Sequence, residues 1–262
     1  MLDVMEQALA GGADIVQLRD KHCDKQELLR KAHALRALTS RYGATFIVND
    51  HIDVALAAAA DGVHLGQDDA SLAEARQRLG AHKWIGISTH TIEQARRAEA
   101  GGADYIGVGP VFATATKQGA EPTGTDFIRQ AAEHIRIPFV AIGGIKLHNA
   151  EQVLDTGARR LCAVSEIVGS DDVEAACGAF IRLIERYERQ RSSGRTLVAI
   201  RVNGEYMQLE AQFVADVIGH FGLADKPVMA EVDGRIIGRG QWASTRLRDG
   251  MKLELLHAVG GG

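Results

Sequence analysis

One unit recurs through the first part of this 262-residue chain: a helical stretch, a glycine-bearing turn, then a short apolar run. Gly11-Gly12-Ala13-Asp14 and Gly101-Gly102-Ala103-Asp104 precede two of these runs, and Ala60-Asp61-Gly62 and Thr156-Gly157-Ala158 hold the same place in theirs. Each Gly falls where a helix ends and the chain needs a residue tolerant of the left-handed conformation. The runs are Asp14–Arg19, Thr45–Asp50, Gly62–Gly66, Trp84–Thr89, Tyr105–Val111, Pro138–Gly144 and Arg160–Ile167. Near-continuous apolar strands with helices between them indicate a parallel sheet covered by helices. Ser71-Leu72-Ala73-Glu74 and Thr91-Ile92-Glu93-Gln94 are capping boxes that open two of those helices.

A closed (β/α)8 barrel needs eight strands, and the runs supply seven. Met1 begins inside what reads as the first helix, Leu2 to Ala10. The expected α/β fold is therefore a TIM barrel lacking its first strand, which would lie before residue 1. The chain would be truncated there, or the barrel completed in another way. The runner-up, an open doubly wound sheet, lacks the Gly-x-Gly-x-x-Gly that such folds place after a strand.

The pattern changes after the last barrel helix, Asp172 to Arg189. Residues 190–195, Gln-Arg-Ser-Ser-Gly-Arg, read as a polar linker between a barrel domain (1–189) and a small domain (196–262). Thr196–Val202 alternates as a strand, Asn203-Gly204 is a hairpin turn, and Glu205–Leu209 is the return strand. Phe213–Phe221 reads as a short helix. Val228–Val232, the turn Asp233-Gly234 and Arg235–Ile237 form a second hairpin, and Lys252–Val259 is a last strand. This order describes a sheet gripping one helix, the ubiquitin-like β-grasp arrangement. The chain ends Val259-Gly260-Gly261-Gly262. Glycines have no side chain to pack, yet such a tail can thread into a narrow active site and present a free carboxylate there.

Composition excludes several functions. A net charge of −4 argues against a nucleic-acid footprint. Cys23, Cys162 and Cys177 are too scattered for a disulfide framework or a metal motif. No apolar run is long enough to span a bilayer and no signal peptide is present. A cytoplasmic protein without nucleic-acid or membrane partners is expected.

The chemistry-bearing residues cluster at strand ends. Gln17, Arg19 and Lys21 share one face by the period of two, and two cations at a barrel mouth would bind an anion. Asn49-Asp50 ends the next strand, and Gln67-Asp68-Asp69 follows the one after. Carboxylates on successive strand ends can share one hard cation such as Mg²⁺. We expect Asp68 to cap the helix starting near Ser71 and Asp69 to face the metal. Thr114 to Lys117 lies in a long polar loop running to Thr125, with the character of a lid whose lysine closes over a phosphate. Gly143-Gly144 and Val164-Ser165 end the last two strands, where this fold commonly builds a phosphate cradle. His22, His51, His64 and His90 show no metal-ligand spacing and read as ordinary polar or packed residues. Nothing in the spacing resembles a nucleophile–base pair. One divalent metal, several cations and a separate phosphate cradle fit two phosphorylated substrates, one with a pyrophosphate leaving group.

Together, Gln17-Leu18-Arg19-Asp20-Lys21, Asn49-Asp50, His64 through Asp69, Gly86-Ile87-Ser88-Thr89-His90, Gly107 through Phe112, Thr114-Ala115-Thr116-Lys117 and Ile142 through Ile145 resemble thiamine phosphate synthase over nearly all of 1–187. The resemblance implies coupling of a hydroxymethylpyrimidine diphosphate to a thiazole phosphate, with Mg²⁺, giving thiamine phosphate and pyrophosphate. It implies that Gln17, Leu18, Arg19, Asp20, Lys21, Asn49, Ser88 and Lys117 hold the pyrimidine diphosphate. It gives Asp50 and Asp69 to Mg²⁺, and Thr114, Ala115, Thr116, Gly144, Val164 and Ser165 to the thiazole phosphate. Arg19, Lys117 and Ser88 take the catalytic roles, with no general base required. His51 departs from the pattern, standing where the family often has Arg.

Residues 196–262 resemble the sulfur carrier protein of thiazole biosynthesis, through Val202 to Glu205, Val232 to Gly234, Arg239, Trp242, Leu247, Asp249-Gly250 and the tail. That similarity implies adenylation of the Gly261-Gly262 terminus by a partner enzyme, conversion to a thiocarboxylate, and delivery to a thiazole synthase. The usual tail ends in two glycines rather than the three found here. Assembly into a homo-oligomer is left open. The alternative readings are a thiazole tautomerase-like barrel, or an inactive barrel that only tethers a sulfur carrier.

Overall fold

The computed structural model describes residues 1–114, 121–193, 197–224 and 226–257. The chain divides into two compact units, Met1–Tyr187 and Glu188–Gly262.

The chain to Ser193 alternates helix and strand: α1 (Leu2–Ala10), β1 (Ile15–Leu18), α2 (Lys25–Tyr42), β2 (Thr45–Asn49), α3 (Ile52–Ala57), β3 (Gly62–Leu65), α4 (Leu72–Leu79), β4 (Trp84–Thr89), α5 (Ile92–Ala100), β5 (Tyr105–Val108), α6 (Gly124–His134), β6 (Phe139–Ile142), α7 (Leu147–Asp155), β7 (Leu161–Cys162), α8 (Val164–Val168) and α9 (Val173–Ser193), the last of which runs across the boundary between the units. The strands form one curled parallel sheet in the order β1 to β7, with β1 and β7 as its edges. This is the TIM-like architecture short of one strand that the repeat predicts.

Alternate residues face opposite ways. Val16, Leu18, Phe46, Val48, Val63, Leu65, Ile85, Ile87, Ile106, Val108 and Ala141 join the helices in one buried cluster. The other face, turned to the lumen, carries Gln17, Asn49, His64, Ser88 and Tyr105. In register, Asn49 stands beside His64, and Ser88 beside Gly107. Ser71 and Thr91 cap α4 and α5, accepting from Glu74 N (3.2 Å) and Gln94 N (3.3 Å). The return bond of Gln94 lands on His90 N (2.7 Å), one residue earlier than the capping box predicts.

Three local expectations are corrected. Val164 and Ser165 do not end a strand: β7 stops at Cys162, and Val164 opens α8. Apolar residues in short runs fit either element, and periodicity could not separate them. The expected linker is helical through Ser193, where α9 ends. The glycines of the repeat also divide their work. Gly12, Gly102 and Gly157 take positive φ (102°, 86° and 105°), but in the α3–β3 turn Ala59 does so (φ 51°). Gly62 is glycine because a Cβ there would meet Trp84 O at 2.2 Å.

The second unit contains β8 (Leu197–Val202), β9 (Glu205–Glu210), α10 (Val214–His220), β10 (Val228–Val232), β11 (Arg235–Ile237), a 3₁₀ turn (Arg239–Gln241) and β12 (Lys252–His257). The sheet order is β11-β10-β12-β8-β9, with β12 parallel to β8 and the other pairs antiparallel. Val198, Ile200, Val202, Leu253 and Leu255 bury one sheet face against Val214, Val217 and Ile218. Both hairpin turns take the expected left-handed pair, Asn203-Gly204 (φ 48° and 83°) and Asp233-Gly234 (φ 49° and 85°). Asn203 also clamps β12, accepting from Leu255 N (2.6 Å) and donating to Leu255 O (3.3 Å). No helix among the described residues is long and apolar enough to cross a membrane.

Candidate active site at the C-terminal rim

The parallel sheet brings every strand's C-terminal end to one rim, so residues far apart in sequence converge there. On β1 the burial pattern alternates, and Gln17 and Arg19 are exposed between buried Val16 and Leu18. Leu18, expected among the substrate contacts, is a core residue through its side chain. Asp20 is engaged locally: it accepts from His22 N (3.0 Å), Cys23 N (3.3 Å) and Lys31 Nζ (2.7 Å). These bonds, the Lys31 one foremost, hold its carboxyl far below the usual carboxylate range. They also fold the turn that carries Lys21.

Lys21 reaches the end of β2, where its Nζ lies 3.4 Å from Asp50 Oδ2. Asp50 occupies the left-handed region (φ 63°), which Asp tolerates better than most residues. Its N–H donates to His64 O (2.9 Å). Asp69, in the turn after β3, accepts from Gly66 N at 2.6 Å. The Asp50 and Asp69 carboxyls are close enough to act on each other. Burial, then the neighbouring Asp69 carboxyl, push the Asp50 pKa up. Asp69 feels burial too, but the neighbouring Asp50 and the bond from Gly66 N, with Lys21 and His51 nearby, hold it low. Asp68 caps nothing: Ser71 has that role, so the helix-capping expectation for Asp68 is corrected.

Ser88, half-buried on β4, is fixed from two sides. Its Oγ is 2.9 Å from His64 Nε2, and Gln67 Nε2 donates to its carbonyl at 2.6 Å. His64 Nδ1 is 3.1 Å from the Tyr105 hydroxyl. A serine–histidine pair at hydrogen-bond distance is therefore present, against the expectation from spacing. Its members lie 24 residues apart, on adjacent strands. The signal that could have found them is the pair of lumen glycines, Gly86 and Gly107, beside His64 and Tyr105.

The segment after β5 runs against the end of β6. Val111 N donates to Ile142 O (2.9 Å) and Phe112 N to Gly143 O (3.0 Å). Gly143 and Gly144 have φ of 100° and 64°, and Cβ atoms there would meet Pro110 Cβ at 2.4 Å and Ala113 O at 2.6 Å. These glycines answer first to the close approach of the 109–113 backbone. The expected lid is tied at its base, where Thr123 N donates to Pro110 O (2.7 Å) and Gly124 N to Val111 O (3.1 Å). Thr114 stands at the lid's start, and Val164 and Ser165 are exposed at the first turn of α8. Ala115, Thr116, Lys117, Gly261 and Gly262 lie outside the described residues.

The family described as thiamine monophosphate synthase matches residues 1–167, and the ThiS family matches 200–262. A thiamine-phosphate synthase of Halalkalibacterium halodurans is 60% identical over 184 residues, 70% of this chain and 87% of that protein. One from Shouchella clausii is 53% identical over 186 residues, 71% of this chain and 89% of that protein. Among solved structures, thiamine phosphate pyrophosphorylase from Pyrococcus furiosus superposes with a TM-score of 0.67 at 38% identity, covering 71% of this chain and 90% of that one.

Proposed function

The chain belongs to the thiamine monophosphate synthase family and joins to it a ThiS-family unit, and on that premise we propose that the barrel couples 4-amino-2-methyl-5-hydroxymethylpyrimidine diphosphate to thiazole phosphate, releasing pyrophosphate and forming thiamine phosphate. The observation that carries this reading is the facing Asp50–Asp69 pair beside Lys21. Two carboxylates brought close at neighbouring strand ends suit a hard dication that completes its shell with substrate phosphate. Asp50 and Asp69 would hold Mg²⁺, which when bound supplies charge for the departing pyrophosphate.

The chain's own residues supply the rest. Arg19 and Lys21 attract the diphosphate to the rim, with Lys117 from the lid closing over it. Gln17, Asn49 and Ser88 orient the pyrimidine end. The backbone at Gly144 and the first turn of α8, with Thr114 to Thr116, hold the second phosphate, so that the thiazole nitrogen faces the methylene carbon. Cations preorganised around the leaving group stabilise charge as it grows. The test is a coupling assay with both phosphorylated substrates and Mg²⁺; absence of thiamine phosphate would overturn the reading.

The second unit is proposed to carry sulfur as a thiocarboxylate on Gly262, made by an adenylating enzyme and passed to a thiazole synthase. Intact mass after incubation with an activating enzyme and a sulfur donor should show a sulfur-sized gain. One alanine added after Gly262 should abolish that gain and leave coupling intact. A gain on the extended chain would mean that Gly262 is not the reactive terminus.

A further inference from the structure

The lumen beneath the rim holds two rings to which the proposed chemistry gives no task, His64 on β3 and Tyr105 on β5. The chain makes space for both. A Cβ at Gly86 would lie 2.1 Å from Tyr105 Cζ, and one at Gly107 would lie 3.3 Å from His64 Cε1. The ring centroids are 5.5 Å apart, and Tyr105 is backed by Trp84 at 6.4 Å. From this seat His64 reaches Ser88 Oγ with one nitrogen (2.9 Å) and the Tyr105 hydroxyl with the other (3.1 Å).

A serine–histidine contact suggests a nucleophile and its base. The third member decides otherwise. In an acyl-transfer triad a carboxylate accepts the Nδ1 proton, which leaves Nε2 free to take the serine proton. Here the third group is a phenol. Burial pushes the Tyr105 pKa above its ordinary value, and Cys162 and Asp104 add to the effect, so it keeps its proton. A phenol is a better donor than acceptor, because its oxygen lone pair is delocalised into the ring. Neutral imidazole has one donor and one acceptor nitrogen. With Nδ1 accepting from Tyr105, Nε2 carries the hydrogen and points it at Ser88 Oγ. The polarity is the reverse of a triad, and His64 in this tautomer cannot take the serine proton.

We propose that Tyr105 and His64 form a one-way hydrogen-bond relay that fixes Ser88 as a donor toward an anionic diphosphate at the rim. Both are positioning residues, acting through Ser88. The inference rests on the reading above that Ser88 meets the pyrimidine diphosphate. A serine whose oxygen already accepts from His64 has its own proton to give, and a donor held in place stabilises charge on the leaving group as it grows.

Two measurements test this. The first is the ¹⁵N spectrum of the full chain with labelled histidine, the His64 signals being identified by their loss in His64→Gln. It should show Nε2 protonated and Nδ1 bare. In Tyr105→Phe, which keeps the ring, the tautomer should become mixed. A protonated Nδ1 in the parent chain overturns the relay, and this readout needs no turnover. It therefore stands apart from the coupling assay: Asp50→Ala should lose coupling yet leave the His64 spectrum unchanged. The second measurement is a double-mutant cycle in the coupling reaction. Tyr105→Phe should lower kcat about tenfold, the loss expected for one oriented hydrogen bond, with KM little changed. In a Ser88→Ala background the same change should cost nothing further. His64→Gln, whose amide nitrogen can replace Nε2, should retain more activity than His64→Ala. Full activity in Tyr105→Phe, or an equal loss in the Ser88→Ala background, overturns the proposal; the latter would mark a merely structural tyrosine.

Discussion

The two rims of the barrel both carry aspartates at strand ends, and they use them in opposite ways. At the N-terminal rim, Asp61 accepts from Phe46 N (2.7 Å) and from Arg36 Nη1 (2.7 Å). One repeat pair later, Asp104 accepts from Ile85 N (2.7 Å) and from Arg76 Nη2 (2.6 Å). Each carboxylate ties the start of the preceding strand to the helix before it. At the C-terminal rim, Asp50 and Asp69 face each other, with Asp50 partly buried and its pKa raised. The same side chain stabilises where donors surround it and stores repulsion where it meets its own kind. One rim's aspartates tie strand to helix, and the other's meet each other at the candidate site.

The sharpest way to break this comparison is to remove the facing pair. Asp50→Ala and Asp69→Ala should each lower coupling by about two orders of magnitude or more, as for loss of a group organising charge in the transition state. Melting temperature should fall by no more than about 2–4 °C, because Asp50→Ala leaves alanine in the left-handed region and Asp69→Ala removes the acceptor of Gly66 N. Turnover measured against Mg²⁺ concentration checks this: unchanged Mg²⁺ dependence in both variants would sink the assignment. Lys117→Ala should cost about two orders of magnitude by the same reasoning. Single-turnover rates close to those of the parent chain would show that the lysine is only solvated.

The opposite rim should respond in the opposite currency. Asp61→Ala and Asp104→Ala each leave a strand N–H and an arginine without their acceptor. These carboxylates are about 40% exposed (42% and 37%), which weakens the bonds, so the expected loss is about 1–2 kcal/mol. For a unit of this size that lowers Tm by roughly 3–6 °C. Coupling per folded molecule should not change. A variant at this rim that loses activity without losing stability would mean that the division between rims is false.

Much of this division is legible in the repeat. Ala60-Asp61 and Ala103-Asp104 recur at one offset, and Asn49-Asp50 and Asp68-Asp69 break it. Parallel strands with apolar runs are buried on both faces, however, so sequence alone cannot tell lumen from helix-facing positions. That is why His64 read as an ordinary residue, and why the serine–histidine contact stayed hidden. Gly143 and Gly144 were legible as special, but their reason was not: the 109–113 backbone that crowds them is more than 30 residues away. Val164-Ser165 failed for a simpler cause, since a two-residue strand leaves no period to read.

The smallest expected effect separates two adjacent aspartates. Both aspartates are exposed, but Asp69 accepts from Gly66 N, whereas Ser71, not Asp68, caps α4 by accepting from Glu74 N. If local contacts, rather than position in sequence, decide what a rim carboxylate does, Asp68→Ala should alter neither Tm nor coupling. Ser71→Ala removes the cap and should cost about 1 kcal/mol, seen as a Tm lower by about 2–4 °C with coupling intact. Thermal melts of the two variants, run beside Asp69→Ala, make the contrast. A Tm drop in Asp68→Ala equal to that in Ser71→Ala would restore Asp68 as a cap. A loss of coupling there would widen the charged site from two carboxylates to three.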